Sequence, residues 1–167
     1  RNWGRICPRL YVWDYTTAFH HFQMPFPNER VLKPNLRLFR DAGVTSIFEQ
    51  GNHKSRLGDL AALKAWMISK LMWNPDRSEE KLVDAFCRAY YGAAAPFVKE
   101  YLALRRTIPA GKDLPLGIWT SPSDGRLTDD FIRKSAALWD KAAAAVKGDA
   151  ARERNVRRSA ISTEYVS

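Results

Sequence analysis

Leu10-Tyr11-Val12-Trp13-Asp14-Tyr15 and Val44-Thr45-Ser46-Ile47-Phe48-Glu49 decide the fold class. Their aromatic and β-branched content predicts two buried strands. Between them, Pro34 fits the first turn of a short helix carrying Leu36, Phe39 and Ala42 on one face, and Gly43 stands where a left-handed C-terminal cap would sit. Beyond the second strand, Leu60, Leu63, Met67 and Leu71 recur at helical spacing. Residues 58–73 therefore predict a well-buried helix stopped by Asn74-Pro75. Strand, helix, strand, helix with short connections implies parallel strands joined by right-handed crossovers.

Both strands are apolar on both faces, and a two-stranded parallel sheet cannot bury both faces of its strands. The expectation is therefore an α/β fold in which this chain is a fragment. Residues 1–75 would form the last two βα units of a (β/α)8 TIM barrel, and residues 76–167 a helical C-terminal domain. The missing N-terminal part of the same protein would supply the other strands.

The second half offers one further brief strand signal, Leu116-Gly117-Ile118-Trp119. Otherwise it is helical. Asp76 with Glu79 resembles a capping box ahead of Leu82/Val83, Phe86/Cys87 and Tyr90/Tyr91, a helix ending at Gly92. Phe97, Val98, Tyr101 and Leu102 mark the next helix, and a loop is expected over residues 108–115. Thr128 can cap a long helix whose buried side is Phe131, Leu138, Trp139, Ala142 and Val146, and a last amphipathic helix carries Val156, Ala160 and Tyr165.

Composition narrows the function classes. The 167 residues are 46% apolar and 27% charged, which excludes disorder and collagen. No run approaches the roughly 18 apolar residues of a spanning helix, and the start Arg1-Asn2-Trp3-Gly4 has neither a methionine nor a signal-peptide core. The true N-terminus is expected elsewhere. Cys7 and Cys87 are too few for a disulfide scaffold and read as an ordinary free thiol and a buried small hydrophobe. The net charge of +9 divides into +6 over residues 1–75 and +3 over residues 76–167. Its densest cluster, Arg152, Arg154, Arg157 and Arg158, encloses Glu153 and lacks aromatic partners. That pattern reads as a solvated helix face rather than a nucleic-acid surface.

In a parallel barrel, functional groups stand at the C-terminal ends of strands, and each strand here ends in an acid. Alternation puts Asp14 with Leu10 and Val12, and Glu49 with Thr45 and Ile47. Tyr11, Trp13, Val44 and Phe48 fall on the opposite faces, where covering helices are expected. Asp14 and Glu49, on adjacent strands about 4.8 Å apart, can then share one substrate as a catalytic pair. Glycoside hydrolysis needs two carboxyl groups roughly 5 to 9 Å apart with separated pKa values. The alternative is that an acid caps a following turn or pairs with an arginine.

Gln50, Asn52 and His53 follow Glu49 as candidate hydroxyl-binding side chains around the Gly51 turn. Trp13, Tyr15, Phe19, His20, His21 and Phe22 are candidate substrate-binding residues on the first strand and its loop, because aromatic faces match the C–H faces of sugars. The loop aromatics Phe19, Phe22 and Phe26 can equally fold back as a plug. His20, His21 and His53 lack further ligands at metal-binding spacing, and no phosphate loop or nucleophile elbow occurs. No metal or cofactor is expected.

An ordered series of motifs resembles a large bacterial family known as domain of unknown function 4838. It comprises Tyr11-Val12-Trp13-Asp14-Tyr15, Pro25-Phe26-Pro27-Asn28, Pro34-Asn35, Gly43-Val44, Phe48-Glu49-Gln50-Gly51-Asn52, Leu71-Met72-Trp73-Asn74-Pro75-Asp76 and Tyr90-Tyr91-Gly92. The resemblance spans residues 7–165. It implies a glycoside-hydrolase-like protein with a (β/α)8 barrel, secreted or periplasmic, from a polysaccharide-degrading bacterium. The segment from Gly43-Val44 to Asp76 is also similar to the last barrel unit of α-glucuronidases. That likeness carries no catalytic acid onto Asp14 or Glu49.

The reading is thus a C-terminal portion of a glycoside hydrolase, in the α-glucuronidase manner, whose partner is an oligo- or polysaccharide and whose isolated chain is inactive. The alternative is a noncatalytic carbohydrate-binding or scaffold module. Nucleic acid and a membrane span are not expected as partners.

Overall fold

A computed structural model describes residues 3–55, 57–108 and 116–167. A single turn of helix, α1 (Trp3–Ile6), precedes β1 (Leu10–Tyr15), α2 (Glu29–Asp41), β2 (Val44–Gln50), α3 (Ala61–Trp73), α4 (Glu79–Tyr91), α5 (Ala95–Arg105), α6 (Asp129–Ala145) and α7 (Ala150–Glu164). A 3-10 turn, Gly92–Ala94, joins α4 to α5. Beyond Ile108, the loop expected over residues 108–115 lies outside the described residues.

β1 and β2 pair in parallel, with Val12 opposite Ile47, Trp13 opposite Phe48 and Asp14 opposite Glu49. The register slips between Leu10 and Tyr11, whose partners are Val44 and Ser46. Thr45 is the residue passed over, and its hydroxyl donates to the Leu10 carbonyl at 3.0 Å. This irregularity removes Thr45 from the alternation that was expected to place it with Ile47 and Glu49.

The expected barrel portion followed by a helical domain is not what the chain forms. Among the described residues the sheet has two strands, and the protein is a small, α-rich domain. One core runs from Leu32 and Leu36 of α2 through Leu63, Met67 and Leu71 of α3 to Trp139 of α6 and Val156 of α7, crossing the division expected at residue 75. The alternation of strand and helix signals dictates parallel pairing but not the number of strands. The remaining strand signal, Leu116–Trp119, is spent on a turn around Thr120, whose hydroxyl donates to the Gly117 carbonyl and accepts from the Gly117 N–H.

The faces of the sheet are also reversed from expectation. Ile47, on the face of Asp14 and Glu49, packs against the helical core. Tyr11, Trp13 and Phe48, assigned to a helix-covered face, are 59%, 55% and 43% exposed. Burying the aliphatic Ile47 against α2 and α3 leaves the aromatic face outward, where Trp13 and Phe48 meet edge to face at 5.0 Å and the Trp13 indole N–H donates to Gln50 at 2.6 Å.

Local chemistry sets the helix ends. α2 begins at Glu29, so Pro34 lies inside it rather than in its first turn. Gly43 follows α2 at φ +78°, the left-handed conformation that glycine adopts without strain. Ser78, not Asp76, caps α4, accepting from the Lys81 N–H. Asp76 instead accepts from Arg37 and Arg40 of α2. Thr128 and Asp149 cap α6 and α7 with their side chains. Phe131, Trp139, Ala142 and Val146 are buried as expected, while Leu138 is partly buried. Cys7 and Cys87 are both free thiols. In the basic cluster Arg154, Arg157 and Arg158 are exposed, and Arg152 pairs with Asp149.

A buried ion cluster joins the two halves. Asp59, immediately ahead of α3, accepts both ends of the Arg105 guanidinium from α5 at 2.7 Å. It also accepts the Lys64 ammonium at 3.0 Å and the Phe26 N–H at 2.9 Å. Arg105 reaches Glu29 at 2.8 Å as well. Burial alone would raise the Asp59 pKa, but the adjoining Arg105 and Lys64 outweigh it and hold the carboxyl at about 2. Leu60, the next residue, is buried at φ +47°, a conformation a branched side chain rarely takes. The anchored Asp59 and the buried Leu60 side chain hold it there.

Removing one member of such a cluster strands the others as buried charges. Asp59→Ala is expected to lower the unfolding free energy in urea by about 3–5 kcal/mol. Because the folded-state pKa of Asp59 lies below its ordinary 3.8, its contribution is complete above 3.8 and is lost as the pH falls through about 2. The variant's stability should lack that component of the acid limb. Equal urea midpoints for parent and variant would remove the cluster from its structural role.

Candidate functional site

Strand register brings Asp14 and Glu49 side by side on one face at the C-terminal ends of β1 and β2. Their surroundings differ. Asp14 accepts the N–H of Tyr15 at 2.8 Å, so one of its oxygens does the local backbone work weighed as an alternative in the sequence. Glu49 is half-buried, and its Oε2 is buried with no hydrogen-bond partner among the described residues. Burial chiefly, and the negative charge of Asp14 secondarily, push the Glu49 carboxyl up to about 7. At neutral pH it is therefore divided between acid and carboxylate, the condition in which a carboxyl group serves as a proton donor or acceptor.

Glu49 opens into a cavity of about 420 Å³ between the end of β2 and α3. That volume lies in the range of small-ligand pockets. Thr16, Thr17, Asn52 and Ser69 contribute hydroxyl and amide groups to its lining, Ile47, Ile68 and Met72 contribute apolar surface, and Asp59 and Lys64 stand at its wall. Thr16 is fixed by its N–H and hydroxyl, both donated to the Gln50 carbonyl at 3.0 and 3.1 Å. Asn52 is fixed by donation to the Ser55 carbonyl at 2.6 Å. Of the residues singled out in the sequence, Glu49 and Asn52 meet in this cavity. Asp14 is Glu49's strand neighbour but does not line it.

Gln50 is tied to Trp13 on the open face of the sheet. Tyr15, Phe19, His20, His21, Phe22 and His53 gather in a separate aromatic cluster. Phe19 meets Tyr15 at 5.3 Å, Phe22 at 5.6 Å and His53 at 5.7 Å. His21 shares a 2.7 Å hydrogen bond with the Tyr165 hydroxyl. The loop divides by burial. Met24 and Phe26 are buried in a small core with Ala18, and Phe22 is nearly so, whereas Phe19 is half-buried and His20 exposed.

Sequence reading passed over Thr16, Thr17, Asp59, Lys64 and Ser69 in the cavity and Trp119 in the aromatic cluster. Asp59 ahead of an apolar helix containing Lys64 was a visible signal, since a lysine on a buried stripe needs a partner. Trp119 offered none, because its position depends on a turn that brings residues 117–120 onto a loop a hundred residues earlier. A second cavity of about 690 Å³ lies among α3, α4 and α5, rimmed by Glu79, Glu80, Lys81, Lys99 and Arg106. None of the catalytic or substrate-binding candidates read from the sequence lines it.

Among the described residues there is no group of three or more His, Cys, Asp or Glu side chains placed to hold a metal ion. No helix there is long and apolar enough to cross a membrane. No curated protein and no solved structure matches the chain. The model of the family described as a domain of unknown function, DUF4838, matches residues 1–103, well over half of the chain, and the protein belongs to that family.

Proposed function

We propose that the protein is a glycoside hydrolase in which Glu49 and Asp14 are the paired carboxyl groups. The observation that supports this reading is Glu49 itself. It is an unpartnered, half-buried carboxyl with its pKa raised to about 7, beside a second acid, at the mouth of a cavity lined by hydroxyl and amide groups.

Cleavage of a glycosidic bond needs one carboxyl group to protonate the departing oxygen and a second to stabilise or attack the sugar's anomeric carbon. Glu49 suits the first role, because burial and the Asp14 charge keep its proton near neutral pH. Asp14 suits the second, since strand pairing sets it beside Glu49. Thr16, Thr17, Asn52 and Ser69 are placed to hold sugar hydroxyls in the cavity. Oligo- and polysaccharides are the partners this reading requires, and an α-glucuronidase-like specificity is the form suggested by the resemblance in sequence. Location outside the cytoplasm, secreted or periplasmic, belongs to the same proposal.

In the intact protein, Glu49→Gln is expected to lower turnover on glycosides at least ~10²-fold, the scale for losing a positioned acid or base, with an unchanged circular dichroism spectrum. A variant as active as its parent would remove Glu49 from the mechanism. Sugar binding without hydrolysis that depends on Glu49 would instead establish a noncatalytic carbohydrate-binding module.

A second test needs no substrate. Carboxyl 13C NMR should show Glu49 titrating near pH 7, and in Asp14→Asn the midpoint should fall while remaining above 4.5, because burial is the larger cause. A folded-state pKa above the unfolded value means that the native protein holds the extra proton. Stability should therefore decline as the pH rises from about 4.5 to about 7, and this decline should be absent from Glu49→Gln. A Glu49 midpoint near 4.5 in the parent would leave the proposed acid without its proton at neutral pH.

A further inference from the structure

We infer that Trp119 is the stacking platform of a saccharide subsite, taking a pyranose ring with equatorial hydroxyls, of gluco or xylo configuration. The inference rests on the carbohydrate reading above and names a residue of that same site.

Trp119 is 62% exposed, yet it is held on a stiff support. The Thr120 hydroxyl donates to the Gly117 carbonyl at 2.7 Å and accepts from the Gly117 N–H at 3.0 Å, closing the turn on both sides of Trp119. The Thr120 N–H returns to the same carbonyl at 3.1 Å. The Ile118 carbonyl accepts the Phe19 N–H at 2.7 Å, which pins the turn to the loop following β1. The indole lies 4.6 Å from the His20 ring, tilted 56°, and 6.5 Å from Phe19.

An indole carried on such a turn and packed beside His20, with most of its surface in water, presents an apolar face on a backbone that is already ordered when a ligand arrives. A pyranose whose hydroxyls are all equatorial exposes only C–H bonds on each ring face and so matches a flat indole. His20, exposed beside Trp119, can exchange hydrogen bonds with the ring's edge hydroxyls. The platform connects to the proposed catalytic region through neighbouring rings. Phe19 touches both Trp119 and His53, and His53 lies in the loop that leaves β2 just after Glu49 and Gln50. The subsite therefore takes a sugar unit other than the one in the Glu49 cavity, which calls for an oligosaccharide ligand.

The test titrates the protein with cellohexaose and xylohexaose by calorimetry, alongside Trp119→Ala, Trp119→Phe and Glu49→Gln, and measures hydrolysis of both sugars. The parent should bind at least one hexasaccharide. Trp119→Ala should weaken that binding about tenfold or more, and Trp119→Phe should retain most of it. Equal affinity for parent and Trp119→Ala, or no binding of either sugar by the parent, overturns the subsite. The two proposals separate cleanly. Binding that depends on Trp119 without hydrolysis sustains the subsite and removes cellohexaose and xylohexaose as substrates of the proposed hydrolase. Hydrolysis lost in Glu49→Gln but with an unchanged KM in Trp119→Ala sustains the hydrolase and overturns the subsite.

Discussion

The bidentate grip of Arg105 on Asp59 holds together parts of the chain that have little else in common. Asp59 stands at the entrance to α3, Arg105 at the last turn of α5, and Lys64 and the Phe26 N–H complete the set. A carboxylate with no access to water is costly unless each of its oxygens is satisfied by cations or N–H groups. Here both are. The consequence reaches the candidate site, because Asp59 and Lys64 form part of the cavity wall that Glu49 faces. Lys64 also donates to the Phe26 carbonyl, and the Asp59 N–H to the Phe22 carbonyl, which ties down the aromatic loop.

Two carboxyl groups in one small region thus have opposite fates. Asp59 is wholly buried, but adjoining cations keep it ionised well below the ordinary range. Glu49 is only half-buried, yet it lacks a cation and has Asp14 as its neighbour, so its proton is retained to about pH 7. The contrast shows that adjoining cations can override burial, whereas Glu49, without them, keeps the upward shift that burial chiefly causes. It also separates a structural acid from one with an open position, since Glu49, unlike Asp59, has a buried oxygen with no hydrogen-bond partner among the described residues.

The exposed aromatics fall into two groups with different supports. Tyr11, Trp13 and Phe48 lie on a face of the two-stranded sheet that no helix covers among the described residues. Trp119 instead projects from a turn locked by Thr120 and fastened to Phe19. Exposure alone does not distinguish a binding surface from an uncovered one.

Local pattern alone determined much of this protein. It yielded the two strands and their parallel sense, the glycine stop after α2, the Thr128 cap, the buried stripes of α3, α4 and α6, and the adjacency of Asp14 and Glu49. Each follows from spacing within one element or from the rule that a βα repeat returns the chain in parallel. The number of strands, the face that turns inward and the convergence of Trp119, Phe19 and His53 were decided only in three dimensions. An alternating strand is nearly symmetric when both faces are apolar, so its residues do not declare which face will be covered. Competition between Ile47 and the aromatics for the helical core settled that. Likewise, a stretch such as Leu116–Trp119 satisfies strand propensity and turn geometry alike, and the hydroxyl of Thr120, by bonding both the N–H and the carbonyl of Gly117, chose between them.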